Sequence, residues 1–278
     1  MPTDALLNLP LHAVPLVVLD LETTGLHPYG DDRICEVALH RTIGGVTEAT
    51  LDMLIDPQRP LSAHACRVTG IRPEHLVGAP RFAEVADRLL DLLAGAALVA
   101  HNAAFDTGFL HCELARLGRP PLGNPVIDTL ALARRLLPAR HSYSLAALAA
   151  ALGVRPPLHR AMADVLVLRA VFDDLAARLA AQGITTLGET LRYARGFRPG
   201  EPEPALPAPI TAALREGHPL RIVYASLSSR EPIERIIRPL EVINERGVLY
   251  VRAYCYLRND LRAFAIPKIV QLELLEHV

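Results

Sequence analysis

Two carboxylates separated by one residue follow an apolar run near the start of the chain. Pro15 to Leu19 is typical of a buried strand, and Asp20 and Glu22 lie at its end. Residues i and i+2 of a strand point to the same face, so both carboxylates should lie on one side of the sheet. Like charges that close resist joint ionisation unless a cation lies between them. The pattern predicts a divalent-cation site, with two solvated acids at a strand end as the alternative.

The turn after these carboxylates is built from small residues. Thr23, Thr24 and Gly25 follow Glu22 directly. Because glycine has no Cβ, this turn allows the backbone of a substrate to approach the predicted metal.

Three further side chains lie on segments that can reach the same sheet edge. A short apolar strand at 96–100 leads through a polar turn to Asp106 at the start of a helix, a layout that places side chains at the carboxyl edge of a sheet. His159 is predicted on a loop that follows two prolines. Asp164 is predicted one turn into a long helix over 161–182.

The remaining pattern predicts an antiparallel meander followed by alternating helices and strands. Strands are expected at 33–41 and 46–56, joined by a double-glycine hairpin turn at Gly44 and Gly45. Amphipathic or apolar helices are expected at 82–93, after Asp106, at 129–136 and at 145–152. Beyond a proline-rich spacer at 198–209, a short helix and five short strands predict a small barrel or curled sheet.

Bulk composition excludes several classes of protein. The 278 residues are 51% hydrophobic without a very long apolar segment, which predicts a globular protein with no membrane span. The amino-terminal residues lack a basic region and a continuous apolar run, so no secretory signal is expected and a cytoplasmic location is predicted. The four cysteines form no C-x-x-C pair, which argues against a zinc ribbon and a disulfide framework.

The charge distribution is unusual for a protein that would bind a polyanion. The chain has a formal net charge of -1, and residues 1–204 carry 19 basic and 22 acidic side chains. An acidic amino-terminal region is compatible with nucleic-acid binding only if part of that acidity holds metal.

The acids and the histidine together resemble the DEDDh 3'-5' exonuclease family, which includes the proofreading epsilon subunits. The first motif is the run 20–26, the second is the run 101–106, and the third is His159 and Asp164 with four residues between them. The sister class has tyrosine where this chain has Arg160. The resemblance covers about residues 15–180 and implies a ribonuclease H-like fold.

The resemblance also implies the catalytic roles. Asp20, Glu22, Asp106 and Asp164 would hold two divalent ions, Mg²⁺ or Mn²⁺, about 4 Å apart around the scissile phosphate. His159 would take the proton from the attacking water, for which its unperturbed pKa of about 6.5 is suited.

Substrate contacts are likewise implied by the resemblance. The implied contacts to the terminal nucleotide and the strand behind it are Thr23, Gly25, Leu26, His101, Asn102 and Phe105. Core packing is an equally good interpretation of Phe105. Thr69 stands where many epsilon-like members have histidine before glycine, so nucleotide contacts at that point do not transfer directly.

The carboxyl-terminal region resembles a WYL domain, a small Sm-like β-barrel. The resemblance rests on the run 238–240, the run 247–255, and Arg258, Arg262, Phe264 and Ile269, although the name-giving triplet is degraded to Val-Leu-Tyr at 248–250. Such domains are thought to bind nucleotides or single-stranded nucleic acid. A second nucleic-acid surface would then comprise Arg221, Tyr224, Arg252, Arg258 and Arg262. A packing or dimerisation module with solvated arginines is the alternative.

The run Gln271–Leu275 permits two interpretations. It is similar to the short peptide with which bacterial repair enzymes bind the sliding clamp, and it also alternates like the last strand of the barrel. The alternation favours the strand.

The predicted architecture is α/β with two domains. A ribonuclease H-like exonuclease domain, a mixed sheet with flanking helices, is expected over 1–182. A short helix and proline-rich linker are expected over 183–209, and a small Sm-like β-barrel of the WYL type over 210–278.

The predicted function is metal-dependent 3'-5' exonuclease activity on DNA ends, single-stranded or mismatched, in repair or proofreading. An exoribonuclease and a non-catalytic nucleic-acid-binding regulator are the alternatives. The sequence does not decide between DNA and RNA or the oligomeric state.

Overall fold

The structure is a computed structural model that describes residues 3–154, 160–202, 204–226 and 231–276. The chain divides into two compact units, Met1–Ala194 and Arg195–Val278. Each unit has its own apolar core.

A mixed five-stranded sheet forms the centre of the first unit. Its strands are β1 (Leu16–Thr23), β2 (Ile34–Ile43), β3 (Val46–Leu54), β4 (Ala97–Ala100) and β5 (Val126–Asp128). The order across the sheet is β3-β2-β1-β4-β5. Strands β1, β2 and β3 pair in antiparallel fashion, whereas β4 runs parallel to both β1 and β5.

Eight α-helices accompany this sheet in the described part of the unit. They are α1 (Thr3–Leu7), α2 (Ala63–Thr69), α3 (Phe82–Leu93), α4 (Ala104–Arg116), α5 (Thr129–Leu136), α6 (Leu145–Ala151), α7 (Ala161–Ala181) and α8 (Leu187–Ala194). Ser62, Asp128 and Ser144 cap α2, α5 and α6 through side chains that accept backbone N–H bonds.

The sheet has a separate apolar layer on each face, and β1 contributes to both. Leu16 and Val18 pack in the layer that contains α5, α6 and α7. Val17, Leu19 and Leu21 pack in the other layer, with α3 and α4. Since strand side chains alternate between faces, Asp20 and Glu22 continue the face of Leu16 and Val18 toward α7.

The second unit is a helix packed with a five-stranded antiparallel sheet. It comprises α9 (Ala208–Glu216), β6 (Leu220–Tyr224), β7 (Ile233–Glu245), β8 (Val248–Cys255), β9 (Asp260–Ala265) and β10 (Ile269–Leu274). The strand order is β10-β6-β7-β8-β9. Ile210, Leu220, Ile237, Val251 and Phe264 lie in its core.

The predicted α/β architecture of the first region is confirmed, and the second region is a small antiparallel β domain in which the edge strands β9 and β10 do not pair with each other within the described residues. The mixed sheet with helices on both faces and the five antiparallel strands are all present. The hairpin turn is present as well, with positive φ at Gly44 and Gly45.

Some boundaries differ from the sequence-based expectation. Helices α1 and α2 were not predicted, and β7 runs to Glu245 rather than ending at Leu240. A register shift between Pro239 and Glu241 lets β7 continue past the proline. Helix α8 belongs to the first unit, and the predicted linker region 183–209 is divided between the two units.

Candidate active site

Three carboxylates meet where β1 passes the start of α7. Asp20, Glu22 and Asp164 each offer an oxygen atom, and these atoms all lie within 4.8 Å of one another. Alternation along β1 aims Asp20 and Glu22 at the α7 layer, and Asp164 lies in the first turn of α7. The structure therefore brings together three of the four acids predicted from the sequence.

Asp106 reaches this group from the opposite layer of the sheet. It lies in the first turn of α4, whose apolar residues Phe109 and Leu110 pack with α3. Its carboxylate accepts hydrogen bonds from its own backbone N–H and from that of Leu21, and both lower its pKa. Pairing between β1 and β4 ends at Val18, so Asp106 binds β1 beyond the end of its parallel neighbour. Asp106 is close to the three carboxylates but is not one of the group.

Burial and mutual repulsion hold protons on these acids. The pKa of Asp20 is well above its ordinary value because of burial, then the charges of Asp106, Glu22 and Asp164. Burial, then the charges of Asp164 and Glu36, raises the pKa of Glu22 to about 7. Burial is also the largest cause for Asp106, whose pKa rises to about 8. A nearby cation would reverse this balance.

The donor set fits hard divalent cations. The group offers only carboxylate oxygen atoms, which suit Mg²⁺ and Mn²⁺ better than the softer metals that prefer thiolate or imidazole. A buried group of like charges is costly to the fold, and a bound cation would offset that cost.

Glu36 fixes the start of α7 relative to β1. It is 1% exposed and stands opposite Glu22 in the β1–β2 register. One of its oxygen atoms accepts bonds from Nε and Nη2 of Arg160 at 3.1 and 2.9 Å, and the other accepts from the backbone N of Ala161 at 3.1 Å. A carboxylate on β2 thus caps α7 and sets the position of Asp164 one turn later.

The turn at 101–103 is bonded to the start of α5. Asp128 accepts from the backbone N of Asn102 at 3.0 Å while it caps α5. His101 Nδ1 lies 3.0 Å from the hydroxyl of Thr129. Asn102 has φ of 63°, a conformation that asparagine tolerates better than most residues, and its side chain is exposed. The pKa of His101 is lowered, mainly by burial, so the imidazole is neutral at pH 7.

The ring of Phe105 is half-buried against the core. Its centroid lies 4.9 Å from that of Phe109, with the rings tilted by 57°. This contact accounts for the aromatic residue by packing, and a contact with substrate stays a prediction.

The turn after β1 is held by a carboxylate that the sequence analysis did not identify. Asp32 accepts from the hydroxyl of Thr24 and from the backbone N of His27, both at 3.1 Å, and lies 3.2 Å from Arg59 Nη1. A Cβ on Gly25 would collide with this carboxylate. The glycine is therefore required by the packing of its own turn, in addition to any approach of substrate.

Two other residues of this turn are implied substrate contacts. Thr23 takes part in a hydrogen bond within the turn, and Leu26 lies at its surface. The hydroxyl of Thr23 donates to the carbonyl of Gly25 at 2.6 Å. Leu26 is 66% exposed, which is unusual for a leucine beside a buried cluster.

Thr69 and His159 are the remaining residues of the first unit to which the sequence analysis gave a role. Thr69 is buried, accepts from the backbone N of Ile71 at 3.0 Å and donates to the carbonyl of Ala65, so it helps to end α2. His159, the predicted proton acceptor, lies outside the described residues.

The five residues predicted as a second nucleic-acid surface lie on two faces of their sheet. Strand alternation and register place Tyr224 and Arg262 on the side of the core and Arg221 and Arg252 on the other side. Arg258 is exposed beyond the end of β8.

Most of these arginines are engaged in ion pairs. Arg221 pairs with Glu273 at 2.6 Å, Arg252 with Glu241 at 2.7 Å and Arg262 with Asp260 at 3.1 Å. The hydroxyl of Tyr224 accepts from the backbone N of Ala265 at 3.2 Å.

The strand interpretation of the last predicted motif is confirmed. Gln271 to Leu274 belong to β10 and pair with β6 in antiparallel register.

None of the helices that the structure describes combines the length and the apolar character that a membrane span requires.

Sequence reasoning missed Glu36 and Asp32, and only Glu36 left a signal in the sequence. Glu36 interrupts an apolar strand run, Ile34 to Leu39, where a charge is unexpected. Asp32 had no comparable signal, because its partners are backbone groups and side chains that only the folded turn brings together.

Two families match the chain. The family described as Exonuclease (RNase_T) matches residues 17–172, and the family described as WYL domain matches residues 206–274. The first match includes all four predicted acids and His159.

Curated relatives are bacterial and much longer. A DNA polymerase III subunit epsilon-like protein of Rhodobacter capsulatus is 38% identical over 197 residues, which is 69% of this chain and 28% of that protein. A DNA polymerase III PolC-type of Streptococcus thermophilus is 40% identical over 147 residues, covering 53% of this chain and 10% of that protein. The chain thus spans less than a third of the length of these relatives.

Solved structures share the fold of the first unit. Exonuclease X, solved in complex with 5' overhanging duplex DNA, is 28% identical, covers 63% of this chain and 99% of its own, and has a TM-score of 0.51. The nuclease domain of 3'hExo, described as a DEDDh family member bound to rAMP, has a TM-score of 0.51 at 17% identity over 63% of this chain and 96% of its own. The second likeness shows the fold alone.

Proposed function

Because the chain belongs to the Exonuclease (RNase_T) family and carries a WYL domain, we propose that it is a 3'-5' exonuclease that releases nucleoside monophosphates from DNA ends. The observation that carries this proposal is the carboxylate group of Asp20, Glu22 and Asp164, with Asp106 adjacent. DNA as the substrate is supported by the DNA polymerase III names of the relatives and by the DNA complex of Exonuclease X.

The protein's own groups would divide the work as follows. Asp20, Glu22 and Asp164 would hold the divalent ions, while Asp106 fixes the end of β1 and adds negative charge beside Asp20. Bound there, two Mg²⁺ or Mn²⁺ ions would supply Lewis acidity at the phosphoryl oxygens and lower the pKa of the attacking water. His159 accepts the proton from that water, as the resemblance implies.

The turn and the exposed leucine position the terminal nucleotide. Asp32 and Gly25 hold the backbone of residues 23–26 in one conformation, and Leu26 presents an apolar surface to a base. His101 and Asn102 are held at the start of α5 by Thr129 and Asp128 and complete the proposed nucleotide contacts.

For the second unit we propose an auxiliary contact with nucleic acid. Its support is the WYL match and the exposed Arg258, for which no ion pair is found in the described residues. The clamp-binding interpretation of Gln271–Leu275 receives no such support, because the backbone of Gln271 to Leu274 is used in pairing with β6.

The decisive test is stepwise degradation of 5'-labelled strands of one sequence. Single-stranded DNA, mismatched duplex DNA and single-stranded RNA are each incubated with Mg²⁺, with Mn²⁺ and with chelator. We expect a metal-dependent ladder that shortens from the 3' end, fastest on DNA, and that disappears in Asp20→Asn.

The matched control for this assay is Glu48→Gln, a similar loss of one charge at an exposed position of β3. It should degrade the strands like the wild type. Faster loss of RNA would reassign the substrate, and degradation without metal would contradict the metal-dependent mechanism. Absence of degradation on every strand would contradict the nuclease proposal and favour a nucleic-acid-binding regulator.

A further inference from the structure

One long segment of the first unit carries positive charge alone. Residues 129–163 contain five arginines and no aspartate, glutamate or lysine, in a chain whose formal net charge is -1. This acid-free segment begins directly after Asp128 and ends directly before Asp164. Segments of one charge sign are commonly solvated surface, so the position of this segment relative to the site is decisive.

Both ends of the acid-free segment are bonded to elements of the site. At its start, Thr129 contacts His101 at 3.0 Å. At its end, Arg160 and the backbone N of Ala161 bind Glu36, beside Glu22. The segment therefore leaves the site through α5 and returns to it through α7.

The middle of the segment also approaches the site. The loop between α5 and α6 carries Tyr143, whose backbone forms a hydrogen bond with His101 that partly offsets the lowering of its pKa by burial. The charge of Arg134, in the last turn of α5, adds to that lowering, which places the guanidinium within electrostatic reach of the turn at 101–103. The guanidinium of Arg140 lies 5.9 Å from the ring centroid of Tyr143.

Of the four arginines of this segment that the structure describes, two have carboxylate or carbonyl partners. Arg160 binds Glu36, and Arg135 donates to the carbonyl of Ala194 at 2.9 Å. Arg134 is exposed and Arg140 is half-exposed, and neither has an ion pair in the parts of the chain that the structure describes. Arg155 lies outside those parts.

We propose that Arg134 and Arg140 form a track that binds the phosphates of the nucleic-acid strand behind its 3'-terminal nucleotide. This inference rests on the proposed function and names the part of the protein that holds the rest of the substrate. The track would contact the sugar-phosphate backbone without reading bases, as expected of a nuclease that removes successive nucleotides of any sequence.

The track explains how a first unit with more acidic than basic side chains retains a polyanion. An acidic metal site repels a polyanion until metal is bound, and a neighbouring surface of opposite sign is needed to retain the strand between successive cleavages. The acid-free segment, whose two ends are bonded to His101 and Glu36, supplies that surface, so a small overall net charge conceals two local fields of opposite sign.

The test compares a long and a minimal substrate in the full chain. Arg134→Gln/Arg140→Gln is assayed on a labelled 12-nucleotide DNA strand and on the p-nitrophenyl ester of thymidine 5'-monophosphate, which contains one phosphodiester and cannot reach the track. We expect the ratio of kcat/KM for the strand to kcat/KM for the ester to fall about tenfold, through KM for the strand.

Direct binding separates this inference from the nuclease proposal. Binding of the labelled DNA strand, and of an RNA strand of the same sequence, is measured by anisotropy. The buffer contains Ca²⁺, and the salt concentration is varied. Removing two phosphate contacts should reduce the slope of log K against log salt by about 1.4, since each contact to a single strand contributes about 0.7. This result would hold even if no hydrolysis were detected.

The matched control is Arg88→Gln. Arg88 is exposed on α3, on the other face of the sheet, and has no ion pair within the described residues. It should leave the salt slope and the substrate ratio unchanged. An unchanged slope and ratio in the double variant, or equal losses in the double variant and the control, would overturn the proposed track.

Discussion

The acids of the candidate site in the first unit and the acids of the second unit are arranged in opposite ways. In the first unit, oxygen atoms of Asp20, Glu22 and Asp164 lie within 4.8 Å of one another. In the second, Glu241 and Glu273 each face an arginine at 2.7 and 2.6 Å. Surface pairs of the second kind change stability little, whereas a buried group of like charges is costly until a ligand neutralises it. Local imbalance of charge, rather than the amount of charge, marks the functional site.

Removing one carboxylate from the buried group should have the largest effect. Glu22→Gln keeps the shape of the side chain but removes a metal ligand, and a loss of about 4 kcal/mol of transition-state stabilisation corresponds to about 10³-fold in kcat/KM. The measurement is hydrolysis of the labelled DNA strand at saturating metal. Glu48→Gln, the same chemical change at an exposed carboxylate, should retain wild-type rates. Equal losses in both variants would show that the buried group matters no more for hydrolysis than a surface carboxylate.

Breaking the bridge between Glu36 and Arg160 should have the next largest effect. Glu36→Gln weakens three hydrogen bonds that fix the start of α7, so Asp164 is held less well relative to Glu22. We expect metal affinity and rate to fall about 10- to 100-fold, as is typical for residues that orient metal ligands. Calorimetric titration with Mn²⁺ measures the metal affinity, and hydrolysis of the labelled DNA strand measures the rate.

A second pair on the same helix serves as the control for this bridge. Arg178 pairs with Asp174 at 2.7 Å near the exposed end of α7. Arg178→Gln should leave metal affinity unchanged. A drop in melting temperature without a change in metal affinity in Glu36→Gln would show that the bridge stabilises the fold but does not position the site.

The pH dependence of stability should distinguish the metal-free from the metal-bound first unit. The raised pKa values, about 7 for Glu22 and about 8 for Asp106, mean that the folded state retains protons which the unfolded state has lost. That stabilisation is complete below the unfolded pKa values near 4 and is lost as the pH rises through 7 and 8.

Scanning calorimetry of the metal-free chain at pH 5.5 and pH 8.5 checks this expectation. The transition of the first unit should fall by at least about 4 °C at the higher pH, the change expected for roughly 1–2 kcal/mol. Mg²⁺ at millimolar concentration should largely abolish the difference, and Glu22→Gln should reduce it. A metal-free transition that rises with pH would contradict the assigned pKa directions.

The smallest effect is expected in the second unit. Arg221→Ala removes a cation that pairs with Glu273 on the outer face of the sheet. An exposed pair contributes about 0–1 kcal/mol, so the free energy of unfolding should change by less than about 1 kcal/mol. Urea denaturation of the full chain measures it. A larger loss would show that the balanced pairs of this unit are structurally important.

Much of the first unit could be predicted because its signals are local. The alternation around Asp20 and Glu22 determines their common face, and the apolar run before them determines the strand. The position of Asp106 was less accessible, because it depends on β4 ending early enough for α4 to reach the backbone of Leu21. Local patterns do not determine where one strand ends relative to its neighbour.

Helix α2 was missed for one physical reason, and the predicted arginine surface is divided between two faces of the sheet for another. Helix α2 lacks a strong apolar stripe and is defined by its Ser62 cap and by Gly70, with φ of 68°, so periodicity alone does not reveal it. The predicted arginine surface grouped residues by charge and disregarded strand alternation, which separates Arg221 from Tyr224 across the sheet. A set of charges becomes a surface only when register places it on one face.

The hydrogen bond from the backbone of Leu21 to Asp106 makes the site observable by spectroscopy. An amide proton bonded to a carboxylate changes its chemical shift when that carboxylate gains a proton or is drawn toward a cation. Leu21 lies between Asp20 and Glu22 but uses only its backbone, so the signal is intrinsic and needs no label on a ligand. The nuclear magnetic resonance of this one amide would therefore report protonation and metal occupancy in the absence of any substrate.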